Sequence, residues 1–237
     1  MTDDVYDDDE KTLTRAMERS ATPRGRAGRR YADVRRIPRE AQPVSTPVVH
    51  ECGPYMPYDL DALPEDGEGY ELADRWLTEL SLSPWHDHGA ERLKEVLKAA
   101  AAQAGAEVYV AGGPNDVSTP AGIRKPDVFV VPKDVARSAI KRRVRTYYAS
   151  DLLLVIEVVS PRSGSERTDR VQKVEEYAKA GIPLYWIVEL DPDPKVTVLS
   201  LGEGAYELVC EVRAGHILSV EAPLPVSFDP AALTELD

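Results

Sequence analysis

Short aliphatic runs separated by turn residues dominate the chain from about residue 58 onward, and this pattern predicts a sheet. Four of these runs are predicted strands: residues 106–112, 126–131, 152–160 and 184–190. A Gly/Pro/Asn turn is expected between the first two. Later runs predict a C-terminal β-meander followed by one short strand: residues 195–201, 205–212 and 217–220.

Two segments carry apolar residues at helical spacing. The first covers residues 87–104, with Asp87 as a candidate N-cap and Gly105 as the stop. The second covers residues 165–180 and ends at Gly181. Strands that alternate with helices along the chain predict a mixed sheet flanked by helices, in one α/β (α+β) domain.

The remaining segments are less regular. Residues 70–82 fit either a short helix or a strand with a turn, and residues 132–150 read as a charged loop. Residues 1–55 combine many charges with few large aliphatic residues, which predicts a disordered arm ahead of a domain at 56–237. The arm carries nine arginines: Arg15, Arg19, Arg24, Arg26, Arg29, Arg30, Arg35, Arg36 and Arg39.

Composition excludes several classes of protein. The longest apolar run, residues 152–156, is too short to cross a bilayer, and the acidic start lacks a signal-peptide pattern, so we expect a cytoplasmic protein. Cys52 and Cys210 suggest neither a disulfide framework nor a zinc site. The net charge of −12 does not favour nucleic-acid binding, but the charges are segregated. A second basic cluster comprises Lys141, Arg142, Arg143 and Arg145.

The most unusual residue is Glu157, which lies inside an aliphatic run that is apolar on both faces. A carboxylate buried in such a strand costs several kcal/mol unless a cation or a polar cleft compensates it. Asp127 is a second acid of this kind, because it opens the strand at 126–131 directly after a proline. If the two strands are neighbours, a divalent ion such as Mg²⁺ removes the repulsion between the acids.

Lys173 offers a cation for the same site. It lies on the helix that follows Glu157, and Asp169 and Tyr177 stand four residues away on either side. A metal ion beside a lysine suits phosphodiester hydrolysis, because the metal activates water and stabilises charge on the phosphate. An exposed Asp169–Lys173 pair without function is the alternative.

Three strings of sequence carry a family resemblance: KPDVFVV from Lys125, LLLVIEVVSPRS from Leu152, and TDRVQKVEEYAKAGIPLYWIVEL from Thr168. In this order they resemble the Uma-type restriction endonuclease family of the PD-(D/E)XK nuclease superfamily. The resemblance implies a restriction-endonuclease-like core that cleaves nucleic acid with Mg²⁺, or with Mn²⁺ as a substitute.

The resemblance also implies roles for individual residues. Asp127 and Glu157 match the two metal-binding acids, and Glu71 matches an acid that adds to the metal site. Val159 stands where the superfamily usually has lysine, and Lys173 matches a lysine moved to the next helix. Tyr177 or Asp169 would position Lys173, and His86, close to His88, matches a family histidine.

The sequence therefore predicts a Mg²⁺-dependent DNA endonuclease with Asp127, Glu157 and Lys173 as its catalytic group. The cluster Lys141, Arg142, Arg143 and Arg145 would contact phosphates. A homodimer would suit double-strand cleavage. Two alternatives stay open: a catalytically silent nucleic-acid-binding module, and a protein-interaction module that uses the charged arm.

Overall fold

The computed structural model describes residues 54–80, 83–159 and 168–236, with side chains from residue 170 onward in the last range. The predicted disordered arm therefore lies outside the described residues except for its last two positions, and the same is true of Cys52 and of the Asp169 side chain. None of the helices in the described ranges combines the length and apolar character needed to span a membrane.

A six-stranded mixed sheet, in the order β11-β10-β9-β8-β6-β3, forms the centre of the fold. Its strands are β3 (Val108–Gly112), β6 (Val128–Pro132), β8 (Leu154–Val159), β9 (Leu184–Glu189), β10 (Lys195–Leu201) and β11 (Tyr206–Arg213). Strands β9, β10 and β11 are joined antiparallel and form the predicted meander, and β8 runs parallel to β9. The α/β fold with a mixed sheet is thus confirmed.

Helices cover both faces of this sheet, which explains why β8 is apolar on both sides. Helix α2 (Pro84–Ala104) packs on one face, against Val128, Ile156 and Val158. On the other face, helices α3 (Lys133–Arg142) and α4 (Lys173–Lys179) cover Phe129, Val155 and Val159, among others. All six residues of β8 are buried, Glu157 included.

The ends of the helices follow capping chemistry. Helix α2 begins three residues earlier than predicted, because the Ser83 hydroxyl caps it by accepting a hydrogen bond from the His86 amide at 3.2 Å. Asp87 is therefore not the N-cap. Gly105 ends this helix in the left-handed conformation, as predicted. The second predicted helix is divided into a π-helical turn at Thr168–Gln172 and the α-helix α4, with Gly181 following at a φ of 79°.

A second, five-stranded sheet, in the order β2-β1-β5-β4-β7, was not predicted. Its strands are β1 (Tyr70–Ala73), β2 (Trp76–Glu79), β4 (Asp116–Thr119), β5 (Gly122–Arg124) and β7 (Thr146–Tyr148). Residues 70–82 thus contain a hairpin, whose two-residue turn at Asp74 and Arg75 has positive φ at both positions. The expected Gly/Pro/Asn turn was wrong, since it contains β4 and β5.

The expectation of a charged loop at 132–150 was also wrong, because this segment contains α3 and β7. Helix α3 buries only small residues on its inner side, Ala136 and Ala139, so it lacks the large aliphatic residues that mark a helix. It ends at Arg143, which is in the left-handed conformation that glycine usually supplies, and the Val144 amide donates to the Ala139 carbonyl at 3.1 Å.

The remaining elements are short. Helix α1 (Pro57–Leu60) precedes β1, and strands β12 (Leu218–Val220) and β13 (Val226–Phe228) pair antiparallel near the end of the chain. Strand β12 falls within the predicted run at 217–220. Single 3₁₀ turns occupy Pro64–Gly67, Ala149–Asp151 and Pro230–Leu233.

The close approach of β3 to the start of β6 generates a stability prediction. A Cβ atom at Gly112 would lie 2.1 Å from the Asp127 carbonyl oxygen, whereas at Gly113, which also has positive φ, it would meet nothing within 4 Å. We expect Gly113→Ala to lower the free energy of unfolding by about 1 kcal/mol, and Gly112→Ala by roughly 1–3 kcal/mol more. Urea unfolding of both variants measures the difference, and equal losses would contradict the clash.

Candidate active site

Glu157 meets Lys173 and Tyr177 on the α4 side of the central sheet. The Tyr177 hydroxyl donates to Glu157 Oε1 at 2.8 Å, and Lys173 Nζ lies 3.1 Å from the same oxygen. Lys173 and Tyr177 are one helical turn apart on α4, so both reach the same strand position. Burial raises the pKa of Tyr177 well above its usual value, and the neighbouring Glu157 and Glu71 act in the same direction, which keeps the hydroxyl a donor.

Glu71, on β1 of the second sheet, holds Lys173 from the opposite side. The Lys173 ammonium donates to Glu71 Oε1 at 3.1 Å, and the Lys125 amide donates to the same atom at 2.8 Å. Arg124 donates to the other oxygen at 3.1 Å. Burial alone would raise the pKa of Glu71, but Lys173 and Arg124 outweigh it and hold this pKa below its usual value.

Arg124 links Glu71 to helix α4. Its Nε donates to both oxygens of Glu176, and the Thr119 hydroxyl also donates to Glu176. Burial works against the charged guanidinium, but the bonds to Glu176 and the charge of Glu71 raise the pKa of Arg124 above its usual value. Arg124 therefore stays charged and ties β5 to both β1 and α4.

Asp127 lies just before β6, next to the Glu157 position. The register pairs Val128 with Ile156, so the next residues outward are Asp127 and Glu157. Asp127 Oδ2 accepts the Val158 amide at 2.7 Å and lies 3.2 Å from His86 Nε2 on α2. Burial lowers the pKa of His86, but the hydrogen bond and charge of Asp127 raise it to a net value above normal.

The residues nominated from sequence thus form two neighbouring groups, one around Lys173 and one around Asp127, while His88 has a different partner. Lys173 contacts both Glu71 and Glu157, and Tyr177 contacts Glu157, whereas Asp127 contacts His86. His88 instead contacts the Glu235 carbonyl, at 2.9 Å. Within residues 54–80, 83–159 and 168–236, no three Asp, Glu, His or Cys side chains are grouped as metal ligands.

The basic cluster is divided by the structure. Lys141, Arg142 and Arg143 lie at the end of α3, are exposed, and have no carboxylate partner in the described part of the chain. Arg145 differs, because its guanidinium lies 2.8 Å from Asp116 and 3.2 Å from Asp61. Asp116 also pairs with Lys125, which precedes Asp127 by two residues in the chain.

Among the residues that the structure describes, sequence reasoning missed four that are charged and buried: Asp116, Arg124, Lys125 and Glu176. Three of them come from strands or a strand end in the unpredicted sheet. The dipeptide Arg124–Lys125 directly before Pro126 was a usable signal, since two cations there precede a nominated acid. Glu176, three residues after Lys173 on the same helix, could also have been found.

Comparison with known proteins identifies relatives. A family model, Uma2, described as "Putative restriction endonuclease", matches residues 57–234. The fold is similar to the crystal structure of a putative nuclease belonging to DUF820 from Anabaena variabilis ATCC 29413, with a TM-score of 0.56 and 16% sequence identity. That match covers 76% of this chain and 98% of the other. None of the curated proteins matches the chain.

The lowered pKa of Glu71 predicts a pH-dependent contribution to stability. A carboxylate whose pKa is lowered by folding stabilises the protein above its ordinary pKa of 4.5, and this contribution is lost as the pH falls through the lowered folded value. We expect Glu71→Gln to cost about 3 kcal/mol at pH 7, because it removes one partner from a buried ion pair. The difference from the wild type should shrink below pH 4.5.

Urea unfolding of both proteins across the acid range checks this prediction. Glu91→Gln is the matched control, because Glu91 is an exposed acid paired with Lys94. It should change the unfolding free energy by less than about 1 kcal/mol at any pH. A Glu71→Gln effect that stays constant from pH 7 to acid would contradict the assignment.

Proposed function

Because this chain belongs to the Uma2 family of putative restriction endonucleases, we propose that it is a magnesium-dependent endonuclease that hydrolyses phosphodiester bonds of DNA. Family and fold support nuclease function in general. The observation that carries the finer proposal is that Asp127, just before β6, follows the register next to Glu157 on β8, and that the Lys173 ammonium lies 3.1 Å from Glu157. Two carboxylates that can bind a metal ion, with a lysine beside them, are the groups that metal-assisted phosphodiester hydrolysis needs.

The donor atoms fit Mg²⁺, which prefers oxygen ligands, keeps several waters and takes one or two protein carboxylates. Asp127 Oδ2 is occupied by the Val158 amide and His86, but Oδ1 has no hydrogen-bond partner within the described ranges, and the side chain is 12% exposed. We assign the ion to Asp127 and Glu157. Bound there, Mg²⁺ would make a bound water more acidic and would stabilise negative charge on the phosphate.

Glu71, nominated from sequence as a third metal ligand, fits a different role better. Both of its oxygens already accept hydrogen bonds, from Lys173, the Lys125 amide and Arg124. In our proposal Glu71 anchors Lys173, so that the ammonium stays beside Glu157. Tyr177 fixes the orientation of the Glu157 carboxylate, and His86 does the same for Asp127.

Lys173 then acts on the substrate. Its charge, held between two carboxylates, orients the attacking water or stabilises the phosphate as negative charge develops in the transition state. This role needs no lysine at position 159, where the chain has valine. Asp169, four residues before Lys173, remains a predicted positioning residue for the Lys173 ammonium.

Phosphate binding is assigned to the exposed end of α3, at Lys141, Arg142 and Arg143. Cations at a helix C-terminus also stabilise the helix dipole, which is the alternative explanation for the first two. It does not explain Arg143, because the left-handed backbone there, with a φ of 56°, favours glycine. Arg145 is a structural residue in this assignment, since Asp116 and Asp61 engage it.

A catalytically silent nucleic-acid-binding module is the second candidate. One observation favours it: Lys173 lies 3.1 Å from both Glu71 and Glu157, so these acids are compensated by the protein itself. This candidate predicts DNA binding without cleavage, and the following experiment separates the two.

Cleavage of supercoiled plasmid and of branched DNA in Mg²⁺ tests the catalytic assignment. We expect Asp127→Asn, Glu157→Gln and Lys173→Met each to lower the rate by roughly 100-fold or more, because each removes a charge that acts at the transition state. Glu107→Gln, at an acid that is 73% exposed, is the control and should cleave normally. Circular dichroism checks that each variant is folded. Equal cleavage by the variants and the wild type, or no cleavage by the wild type, would overturn the proposal.

Salt dependence of duplex binding, measured in EDTA, tests the basic cluster. Each lost phosphate contact should reduce the slope of log K against log salt by roughly 0.9. We expect the triple change Lys141→Gln, Arg142→Gln and Arg143→Gln to reduce this slope, and Arg145→Gln to lower thermal stability instead. Arg213→Gln, at an arginine that is 61% exposed on β11, should leave the slope unchanged. A triple variant with the wild-type slope would refute the assignment.

A further inference from the structure

An open groove lies between α3 and β7, with a volume of about 390 Å³. We call it the α3–β7 groove, and its lining includes Asp134, Ser138, Arg142, Thr146, Tyr148 and Asp151. Its volume falls within the range of about 300–1,000 Å³ that is typical of small-molecule sites. Arg142 is already assigned to phosphate binding above, and the other five residues take no part in the candidate active site.

Strand alternation exposes an aromatic ring at this groove. Tyr147 points inward and packs edge-on against Phe129, with ring centroids 5.1 Å apart. Its neighbour Tyr148 therefore points outward, and it is 62% exposed. Within the described ranges the Tyr148 ring contacts no other aromatic ring and its hydroxyl has no hydrogen-bond partner. Two further apolar residues, Ile140 and Val144, are 62% and 40% exposed nearby in sequence.

Cations border this exposed apolar surface. Arg142 lines the groove itself, and Lys141 and Arg143 flank it in sequence at the end of α3. An exposed aromatic ring next to cations that have no carboxylate partner among the described residues matches the chemistry of single-stranded nucleic acid, whose bases stack on the ring while the phosphates contact the cations. A duplex cannot use such a ring, because its bases are stacked inside the helix.

We propose that the α3–β7 groove binds an unpaired nucleobase of the DNA substrate, stacked on Tyr148, with the adjoining phosphate on Arg142. The inference rests on the proposed nuclease function and narrows its substrate to DNA with a single-stranded part, such as a flap or a branch. Asp134 and Asp151 also line the groove, and their carboxylate oxygens can accept hydrogen bonds from the N–H groups of a base.

Binding of fluorescent oligonucleotides to the full chain in EDTA tests the groove apart from catalysis. The probes are single-stranded oligothymidylate and a duplex of the same length. We expect Tyr148→Ala to weaken single-strand binding by roughly 5- to 100-fold, the usual range for loss of one stacked base, and to leave duplex binding unchanged. Tyr148→Phe keeps the ring and should bind as the wild type does.

Trp76→Ala is the control, because Trp76 is an aromatic residue of similar exposure, 63%, on the edge strand β2. Three outcomes would overturn the assignment of the groove. Tyr148→Ala could bind the single strand with wild-type affinity, or it could lose affinity for the duplex as strongly as for the single strand. In the third outcome, Tyr148→Phe loses as much single-strand affinity as Tyr148→Ala. Cleavage of plasmid and of branched DNA in Mg²⁺ is measured separately. If the wild type cleaves DNA and one of these three outcomes is found, only the proposed role of the groove is contradicted. If Tyr148→Ala selectively loses single-strand binding and the wild type does not cleave, only the proposed nuclease function is contradicted.

Discussion

The fold is organised around the Lys173 ammonium, which is buried between the carboxylates of Glu71 and Glu157. One carboxylate comes from the second sheet and the other from the central sheet, so this cation joins the two. Buried charges are unfavourable unless each is paired and hydrogen-bonded. Here cations and acids alternate from Glu157 through Lys173, Glu71 and Arg124 to Glu176. The loss of one member would leave its neighbours without compensation.

The sequence anticipated the central sheet better than the second one, for physical reasons. Glu157 was found because an acid in a run that is apolar on both faces conflicts with the hydrophobic pattern. The strands of the second sheet have three or four residues each, too few to establish a period. Helix α3 was missed because its buried side is alanine and because Arg143, not glycine, occupies its stop position.

The prediction of the site from the sequence was also limited because several residues have partners that are far away in the chain. Lys173 was nominated without knowledge that Glu71, 102 residues earlier, holds it. Arg124 and Glu176 are 52 residues apart, and no local pattern connects them. Tyr177 was anticipated at helical spacing from Lys173, and the structure adds that the two residues share Glu157. The sequence thus nominated individual residues, whereas their partners depend on the way the second sheet packs against α4.

In the proposed site, Asp127 and Glu157 would bind the metal ion, while Glu71, itself held by Arg124, keeps Lys173 in place. A crystal of the full chain soaked in Mn²⁺, with anomalous scattering recorded at the manganese edge, tests this division of roles most directly. We expect one manganese ion bound by Asp127 and Glu157, with the Lys173–Glu71 contact retained. A manganese ion bound by Glu71 in place of Lys173, or no ion at either carboxylate, would contradict it.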